Sequence, residues 1–195
     1  MRHGEEVTFG GSGLNRAAEL RGDAGRMAEL LSTGRVLPVW RGKPLVVAGT
    51  ALGWVCADSP VLRDGATPVF LGLQEGGACF AQDISAWVPT LASDPTGSGF
   101  FDAQRQAHPA LPEDHLLEDL RGVMASLSPR DAELAATAKA ILQWHATHGY
   151  CSACGAATEI VKSGWQRSCS ACSAQHFPRT DPVVIMLVVR GNDLL

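Results

Sequence analysis

The chain has 195 residues, of which 46% are hydrophobic, and a formal net charge of −4. This length suits one large domain or two modest ones and supplies enough apolar material for a core. A mildly acidic chain is a poor candidate for general nucleic-acid binding, which relies on clustered Lys and Arg. The longest apolar run, PVVIMLVV, is far shorter than the roughly 18 residues that a membrane span needs. No apolar run follows the basic residue near the N-terminus, so we expect no signal peptide and a soluble, cytoplasmic protein.

The first two thirds of the chain predict an α+β domain. Residues 1–13 are rich in Gly and are expected to form a disordered leader. Residues 14–127 then predict a domain with a mostly antiparallel sheet. One or two short helices come first, broken by Gly22 and Gly25 and closed by Gly34. RVLPVW and PLVVAG follow as a β-hairpin, and further strands are expected at residues 54–56, TPVFLGL and ACFAQDI.

The segment HLLEDLRGVMASL predicts a helix at the end of this domain. Its apolar residues recur at helical spacing, namely at Leu116, Leu117, Leu120, Met124 and Leu127. The neighbouring acidic residues of EDHLLED are interpreted as a solvated helix start, where negative charge is favourable, and not as acid–base catalysts.

A stronger helical pattern covers residues 128–148 and is expected to link two parts of the chain. Ser128 is a good N-cap, and Pro129 suits the first helical position. Apolar residues recur with a helical period from Leu134 to Leu142. Gly149 is expected to end the helix.

Two CxxC pairs are the strongest chemical signal in the sequence. Cys151 and Cys154 form the first pair, Cys169 and Cys172 form the second, and fourteen residues separate them. In a reducing compartment this spacing favours a metal site over disulfides. Two such turns that meet present four thiolates tetrahedrally, as in a structural zinc ribbon. We therefore predict a zinc ribbon over residues 149–178.

The cysteines allow two other interpretations. His145 and His148 allow a site made with Cys151 and Cys154, but that site would leave the second pair unexplained. The histidines are therefore interpreted as helix-end residues that pack against the ribbon. A thiol redox role would need a βα context, whereas both pairs are followed by polar hairpin sequence. Four cysteines leave no open coordination position, so the zinc is expected to hold structure and not to catalyse.

Smaller features receive structural interpretations. Cys56 and Cys79 lie in apolar surroundings and are expected to be core residues. Lys162, Arg167 and Arg179 give the ribbon a slight positive bias, interpreted as a solubility feature. Residues 179–195 contain a Val/Ile-rich run, expected to be a buried strand followed by a Gly-Asn turn.

Two segments from the long helix onward carry a family resemblance. They are ILQWHATHGYCSACG and SGWQRSCSACSAQHFPRTDPVVIMLVV, and the chain over these residues resembles the NADH pyrophosphatase family of Nudix hydrolases. NRAAELR, RVLPVWRGKPLV and LRGVMASLSPRDAELAATAKAILQWH are also similar, so the likeness covers nearly the whole chain. The family implies a Nudix-like N-terminal domain without catalytic residues, then a linking helix, a zinc ribbon and the first strand of a catalytic Nudix domain.

The resemblance also implies an activity. Family enzymes cleave the pyrophosphate of NAD(H) to a mononucleotide and AMP, and some remove NAD caps from RNA. They are homodimers that use Mg²⁺ or Mn²⁺. The four cysteines match the zinc ligands, and Phe177 matches an aromatic position that packs against the substrate's base. Gly164 stands where some members have a Glu that contacts substrate, so this chain lacks that side chain.

The metal-binding carboxylates of the Nudix box are absent from the 195 residues. That box needs an Arg-Glu-x-x-Glu-Glu cluster, whereas the last Glu here is Glu159. We therefore expect a chain that stops after its zinc ribbon and is inactive alone. The strand at residues 183–189, left without its sheet, is expected to promote self-association. The alternative is a non-enzymatic zinc-ribbon module that binds a protein or nucleic acid.

Overall fold

The structure is a computed structural model that describes residue 9 and residues 13–75, 77–89, 104–179, 188–191 and 193–194. Most of the predicted leader 1–13 lies outside these residues. So does most of the predicted strand 183–189, together with the self-association expected from it.

The described chain begins with a short 3-10 turn, Ala18–Gly22, and helix α1, Ala24–Thr33. Asp23 separates the two, and its side chain accepts a hydrogen bond from the Arg26 backbone N–H at 2.9 Å. This is the usual contact of an N-cap residue. Gly25 lies inside α1, so the interruption falls at Gly22 and Asp23 and the prediction of a break at Gly25 was wrong.

Eight short strands form one sheet within the described residues. They are β1 (Arg35–Trp40), β2 (Lys43–Val47), β3 (Ala51–Leu52), β4 (Val55–Cys56), β5 (Val69–Gln74), β6 (Gly77–Asp83), β7 (Gln106–Ala107) and β8 (His115–Leu117). The main order is β5-β6-β1-β2-β8-β7, while β3 pairs with β2 and β4 pairs with β1. All pairs are antiparallel except β1 with β6. The predicted α+β class, mostly antiparallel sheet and β1–β2 hairpin are confirmed.

The core of this domain lies against the central strands. All residues of β1 from Val36 to Trp40 are buried, so both faces of that strand are covered. Helix α1 packs against β6, and the long helix α3 (Pro129–Thr147) packs against β2, β5 and β6. The largest fully buried side chains are Phe70, Leu37, Leu45, Leu71, Ile84, Leu117 and Leu134.

Helix α3 begins and ends close to the predicted positions. The Ser128 side chain accepts from the Asp131 backbone N–H at 3.1 Å, and Pro129 takes the first helical position. The last helical residue is Thr147, and His148 is the C-cap residue. The linking helix predicted over residues 128–148 is therefore present.

The helix predicted from HLLEDLRGVMASL is wrong in its first part. His115–Leu117 is strand β8, which pairs with β2 through Val46↔Leu116. Helix α2 is short, Leu120–Val123, and starts only after Asp119, whose side chain caps it. Pairing with β2 supplies backbone hydrogen bonds that the local helical spacing cannot reveal.

The two isolated cysteines have different surroundings. Cys79 is fully buried in β6, as predicted. Cys56 is exposed, so its assignment to the core was wrong. It is the last residue of the two-residue strand β4, whose partner is only the start of β1. The side chain therefore stays at the margin of the sheet.

The ribbon is a separate three-stranded sheet made of β9 (Glu159–Val161), β10 (Gln166–Ser168) and β11 (Gln175–His176). Further on, β12 (Val189–Arg190) pairs with β13 (Asp193–Leu194) around Gly191. A chain reversal therefore follows the Val/Ile-rich run, at the position of the predicted Gly-Asn turn.

Candidate zinc centre

The two CxxC pairs lie in turns that are built alike. The Cys151 N–H donates to the Ala156 carbonyl at 2.8 Å, and the Cys169 N–H donates to the Ala174 carbonyl at 2.9 Å. Four residues after the first cysteine of each pair, the backbone is left-handed, at Gly155 (φ 77°) and at Ser173 (φ 61°). Glycine adopts this conformation freely, and the second turn forces a serine into it.

These turns bring all four sulfur atoms together. The Sγ atoms of Cys151 and Cys172 are 3.5 Å apart, as are those of Cys154 and Cys169. All four lie within 4.8 Å of one another. A tetrahedral zinc site with Zn–S bonds of about 2.3 Å needs sulfur atoms about 3.8 Å apart. The donor set and its geometry therefore fit a structural zinc ion.

The electrostatics of the cluster also favour a bound cation. Burial would raise the pKa of the Cys151 thiol, but backbone N–H groups of Ala153 and Cys154 outweigh it and, with His176, lower the pKa to about 6. At Cys172 the N–H of Ala174 acts to lower the pKa, but the three neighbouring cysteines raise it to about 12. Four thiolates cannot coexist at this distance without a positive ion, which zinc supplies.

His176 is a neighbour of the cluster that no motif spacing in the sequence indicates. Its Nε2 lies 3.3 Å from the Cys151 sulfur. With a proton on Nε2, the ring donates a hydrogen bond to the sulfur. Such a contact orients a metal ligand and tunes its charge without joining the coordination sphere.

The histidines of the rival site do not join the cluster. The His145 Nε2 lies 2.8 Å from the Gly164 carbonyl oxygen, and its Nδ1 lies 3.2 Å from an Arg167 guanidinium nitrogen. Nε2 therefore donates and Nδ1 accepts, which defines a neutral imidazole. The pKa of His145 is lowered, chiefly by burial. The hydrogen bond to the Gly164 carbonyl acts to raise this pKa, and the positive charge of Arg167 acts to lower it. His148 is exposed, and its Nδ1 lies 2.8 Å from the Thr147 hydroxyl. His145 is the histidine whose ring nitrogens contact ribbon residues, as expected for a helix-end residue that packs there.

Arg167 has a structural role that its interpretation as a solubility feature missed. The side chain is buried, and it donates to the Thr158 hydroxyl at 2.7 Å and to the Thr158 carbonyl at 2.8 Å. Together with His145 it ties β10 to the preceding loop and to the end of α3. No periodic pattern in GWQRS distinguishes a buried arginine from an exposed one.

The ribbon also contacts the N-terminal domain through a tight turn, Lys162–Gly164. The Trp165 indole N–H donates to the Phe70 carbonyl in β5 at 2.6 Å. The Ser163 hydroxyl donates to the Arg21 carbonyl at 3.0 Å. These two contacts fix the ribbon relative to the sheet.

Gly164 lies at the centre of that contact. Its φ is 94°, and a Cβ at this position would lie 2.6 Å from a Val69 methyl carbon. The backbone needs glycine here for both conformation and space. A Glu side chain at this position would not fit this packing.

Phe177 is 60% exposed. It lies beside an open cleft of about 610 Å³ between the ribbon and the 3-10 turn Ala18–Gly22.

The acidic residues of EDHLLED do not line this cleft. Glu118 is buried, and its carboxylate lies 2.9 Å from the Arg105 guanidinium, so its interpretation as a solvated residue was wrong.

Among the described residues, the four cysteines form the one group of three or more possible metal ligands. Within the same part of the chain, no helix is both long and apolar enough to cross a bilayer.

The fold and the site define a class of protein in which an α+β domain leads through a long helix into a four-cysteine zinc ribbon. A family profile described as the NADH pyrophosphatase-like rudimentary NUDIX domain matches residues 33–144. A second, described as the NADH pyrophosphatase zinc ribbon domain, matches residues 146–177. The chain belongs to the NADH pyrophosphatase family of Nudix hydrolases, as the sequence resemblance predicted.

Several curated relatives are similar over part of their length. Nudix hydrolase 19, chloroplastic, from Arabidopsis thaliana is 31% identical over 82% of this chain and 39% of its own length. The NAD-capped RNA hydrolase NudC of Mycobacterium tuberculosis is 31% identical over 93% of this chain and 52% of its own. The human NAD(P)H pyrophosphatase NUDT13, mitochondrial, is 38% identical over 40% of this chain and 22% of its own. The chain spans about half the length, or less, of these relatives.

Proposed function

We propose that this chain is the N-terminal and zinc-ribbon part of an enzyme that hydrolyses the pyrophosphate of NAD(H) to a nicotinamide mononucleotide and AMP. The observation that carries the proposal is the order of the two family domains. A rudimentary Nudix domain runs directly into the matching zinc ribbon over residues 33–177. The ribbon by itself would be unspecific, because many unrelated proteins carry one.

In this proposal Cys151, Cys154, Cys169 and Cys172 hold a structural zinc ion. Their sulfur atoms lie within 4.8 Å of one another, which is close enough for all four to bind one ion. The zinc holds the two turns together and takes no part in hydrolysis, since four thiolates fill its coordination sphere. Phe177, largely exposed beside a cleft, is proposed to contact the base of the substrate.

Hydrolysis itself requires groups that these 195 residues do not contain. No Arg-Glu-x-x-Glu-Glu cluster occurs in the sequence. Carboxylates of that kind hold Mg²⁺ or Mn²⁺, which polarises the phosphoryl group and activates water. We therefore propose that the 195-residue chain is inactive alone and that the whole enzyme acts as a homodimer. The cytoplasmic location stays a prediction, since the names of matched relatives include a chloroplastic and a mitochondrial protein.

A paired assay tests this function. The protein produced from the complete natural gene and the zinc-loaded 195-residue chain are each incubated with NADH and Mg²⁺ or Mn²⁺, and AMP is quantified by chromatography. We expect AMP from the natural gene product and none from the 195-residue chain. Failure of the gene product to cleave NADH would contradict the proposed reaction. Steady AMP release by the 195-residue chain would contradict the proposed need for additional carboxylates.

NAD-capped RNA is a second candidate substrate. It is favoured by the likeness to a protein named NAD-capped RNA hydrolase, which covers 93% of this chain. The same paired assay with a short NAD-capped RNA distinguishes the two substrates through their relative kcat/KM values. A purely binding role for the ribbon would instead give salt-dependent RNA binding and no cleavage by the natural gene product.

A further inference from the structure

The cleft beside Phe177 is built from both domains and has a distinct chemical character. It has a volume of about 610 Å³, within the range of small-molecule sites. The 3-10 turn of the N-terminal domain forms one wall and the ribbon forms the other. Five of the side chains that line it matter here: Glu19, Arg21, Lys162, Trp165 and Phe177.

Two cations face this cleft from opposite walls. The Arg21 guanidinium carbon lies 4.0 Å from the centre of the Trp165 ring. Among the described residues, neither Arg21 nor Lys162 has a carboxylate within 4.0 Å of its charged nitrogens. Glu19 adds one negative charge, so the charged lining side chains carry a net +1 in a chain whose total is −4.

Within the described part of the chain, no carboxylate lies close to the Arg21 charge. There its guanidinium donates to the Arg16 carbonyl at 3.3 Å, and its Nε is buried without an acceptor. Burial and the charge of Arg16 lower its pKa, and Glu19 raises it by less. An anion in the cleft would relieve both unfavourable effects.

Lys162 has a strained backbone, and its side chain lies against the opposite wall of the cleft. Lys162 and Ser163 are both left-handed, with φ of 51° and 52°. Such conformations are costly for residues other than glycine and cluster at functional sites. The Lys162 Nζ lies across Gly22, only 2.7 Å from where a Cβ on that glycine would be. The ammonium group therefore lies against the turn that carries Arg21.

We propose that this cleft binds the phosphate of a nucleotide, with Arg21 and Lys162 as its cationic contacts. Arginine and lysine are the usual phosphate partners in proteins. The exposed ring of Phe177 lies within stacking reach of a ligand in the same cleft. This proposal rests on the proposed function, because the phosphate would belong to a free dinucleotide or to the strand of a capped RNA. Arg21 and Lys162, which lie outside the zinc cluster, are thereby assigned to ligand binding.

Isothermal titration of the zinc-loaded 195-residue chain with AMP and with adenosine tests the site. We expect AMP to bind at least about ten-fold more tightly than adenosine at low salt, because the phosphate supplies the charge-assisted contacts. Lys162→Gln is expected to weaken AMP binding about five-fold, and Lys162→Glu more, with adenosine unchanged. Arg26→Gln removes the same charge from an exposed residue paired with Glu29 and should leave both affinities unchanged.

Equal affinities for AMP and adenosine would overturn the proposal, as would AMP binding that does not respond to the Lys162 substitutions. A 5′-phosphorylated tetraadenylate identifies the source of the phosphate. Binding much tighter than that of AMP assigns the cleft to an RNA strand, and equal binding assigns it to a single nucleotide. These measurements need no catalysis. Phosphate-dependent binding can therefore be absent although the gene product hydrolyses NADH, or present although it does not, so failure of this proposal is distinguishable from failure of the proposed function.

Discussion

Gly164 shows how one residue joins the ribbon to the N-terminal domain. Its left-handed backbone, with φ of 94°, places the Cα against Val69 in β5. A Cβ would lie 2.6 and 2.7 Å from the two Val69 methyl carbons, well inside normal contact. The adjacent Trp165 indole donates to the Phe70 carbonyl of the same strand. Gly164 therefore supplies the close approach and the left-handed backbone, and the next residue supplies a hydrogen bond to the same strand.

Gly164→Ala is expected to lower the free energy of unfolding by about 3 kcal/mol, measured by urea denaturation with zinc present. A clash in a packed site costs roughly 1–3 kcal/mol, and a left-handed non-glycine residue costs roughly a further 1–2 kcal/mol. Gly49→Ala separates the two effects, because Gly49 also has a positive φ of 70° but no atom within 4 Å of its Cβ position. A loss no greater than that of Gly49→Ala would show that Val69 moves aside without cost.

Strand β8 shows that an element is decided by its neighbour as much as by its own sequence. Apolar residues in this segment follow a helical spacing, yet His115–Leu117 pairs with β2. A strand alternates its side chains between two faces, whereas adjacent residues of a helix lie about 100° apart. Leu117 is fully buried and Leu116 is only partly buried, as expected for a strand.

Leu117→Ala is expected to cost about 2–5 kcal/mol in the free energy of unfolding, because it leaves a cavity in the core. Leu116→Ala is the matched control, with the same atoms removed from the other face. It should cost about half as much or less, because that side chain already contacts solvent. Equal losses in chemical denaturation would contradict the alternation and favour the helical interpretation.

At the scale of the whole molecule, the two parts of the chain differ in what holds them together. The N-terminal domain has a core of large aliphatic and aromatic side chains such as Leu37, Leu45 and Phe70. In the ribbon, the buried residues are chiefly cysteines and polar side chains, including Cys151, Cys169 and Arg167. A unit with so little apolar burial depends on its metal for stability.

Removal of zinc by a chelator is therefore expected to abolish amide hydrogen-exchange protection in β9, β10 and β11 while β1 and β6 stay protected. Zinc should restore the ribbon's protection when added back. Cys169→Ser should lose the single equivalent of bound zinc, measured by elemental analysis, because a ligand is missing. Cys56→Ser should retain it, since Cys56 is exposed and outside the cluster. Loss of protection throughout the sheet would show that the N-terminal domain does not fold independently of the metal.

Much of the architecture was predictable because it depends on local chemistry. Ser128 and Pro129 signal the start of α3 through the capping of free N–H groups, which needs no distant partner. The spacing within each CxxC pair likewise positions two sulfurs by one turn. The convergence of the four cysteines could be predicted because tetrahedral zinc needs both pairs.

Other features depend on residues far away in sequence, and only the packed molecule decides them. Strand β8 forms because it pairs with β2. The buried Arg167 guanidinium finds its hydrogen-bond partners in Thr158 and His145. Val69 limits the space at Gly164. The cleft of Arg21 and Lys162 likewise joins segments about 140 residues apart. The sequence by itself determines helix capping, the spacing of metal ligands and the periodicity of apolar residues, because these depend on near neighbours in the chain. The burial of a side chain and the pairing of a strand depend on which surfaces meet when the chain folds, so only the tertiary structure decides them.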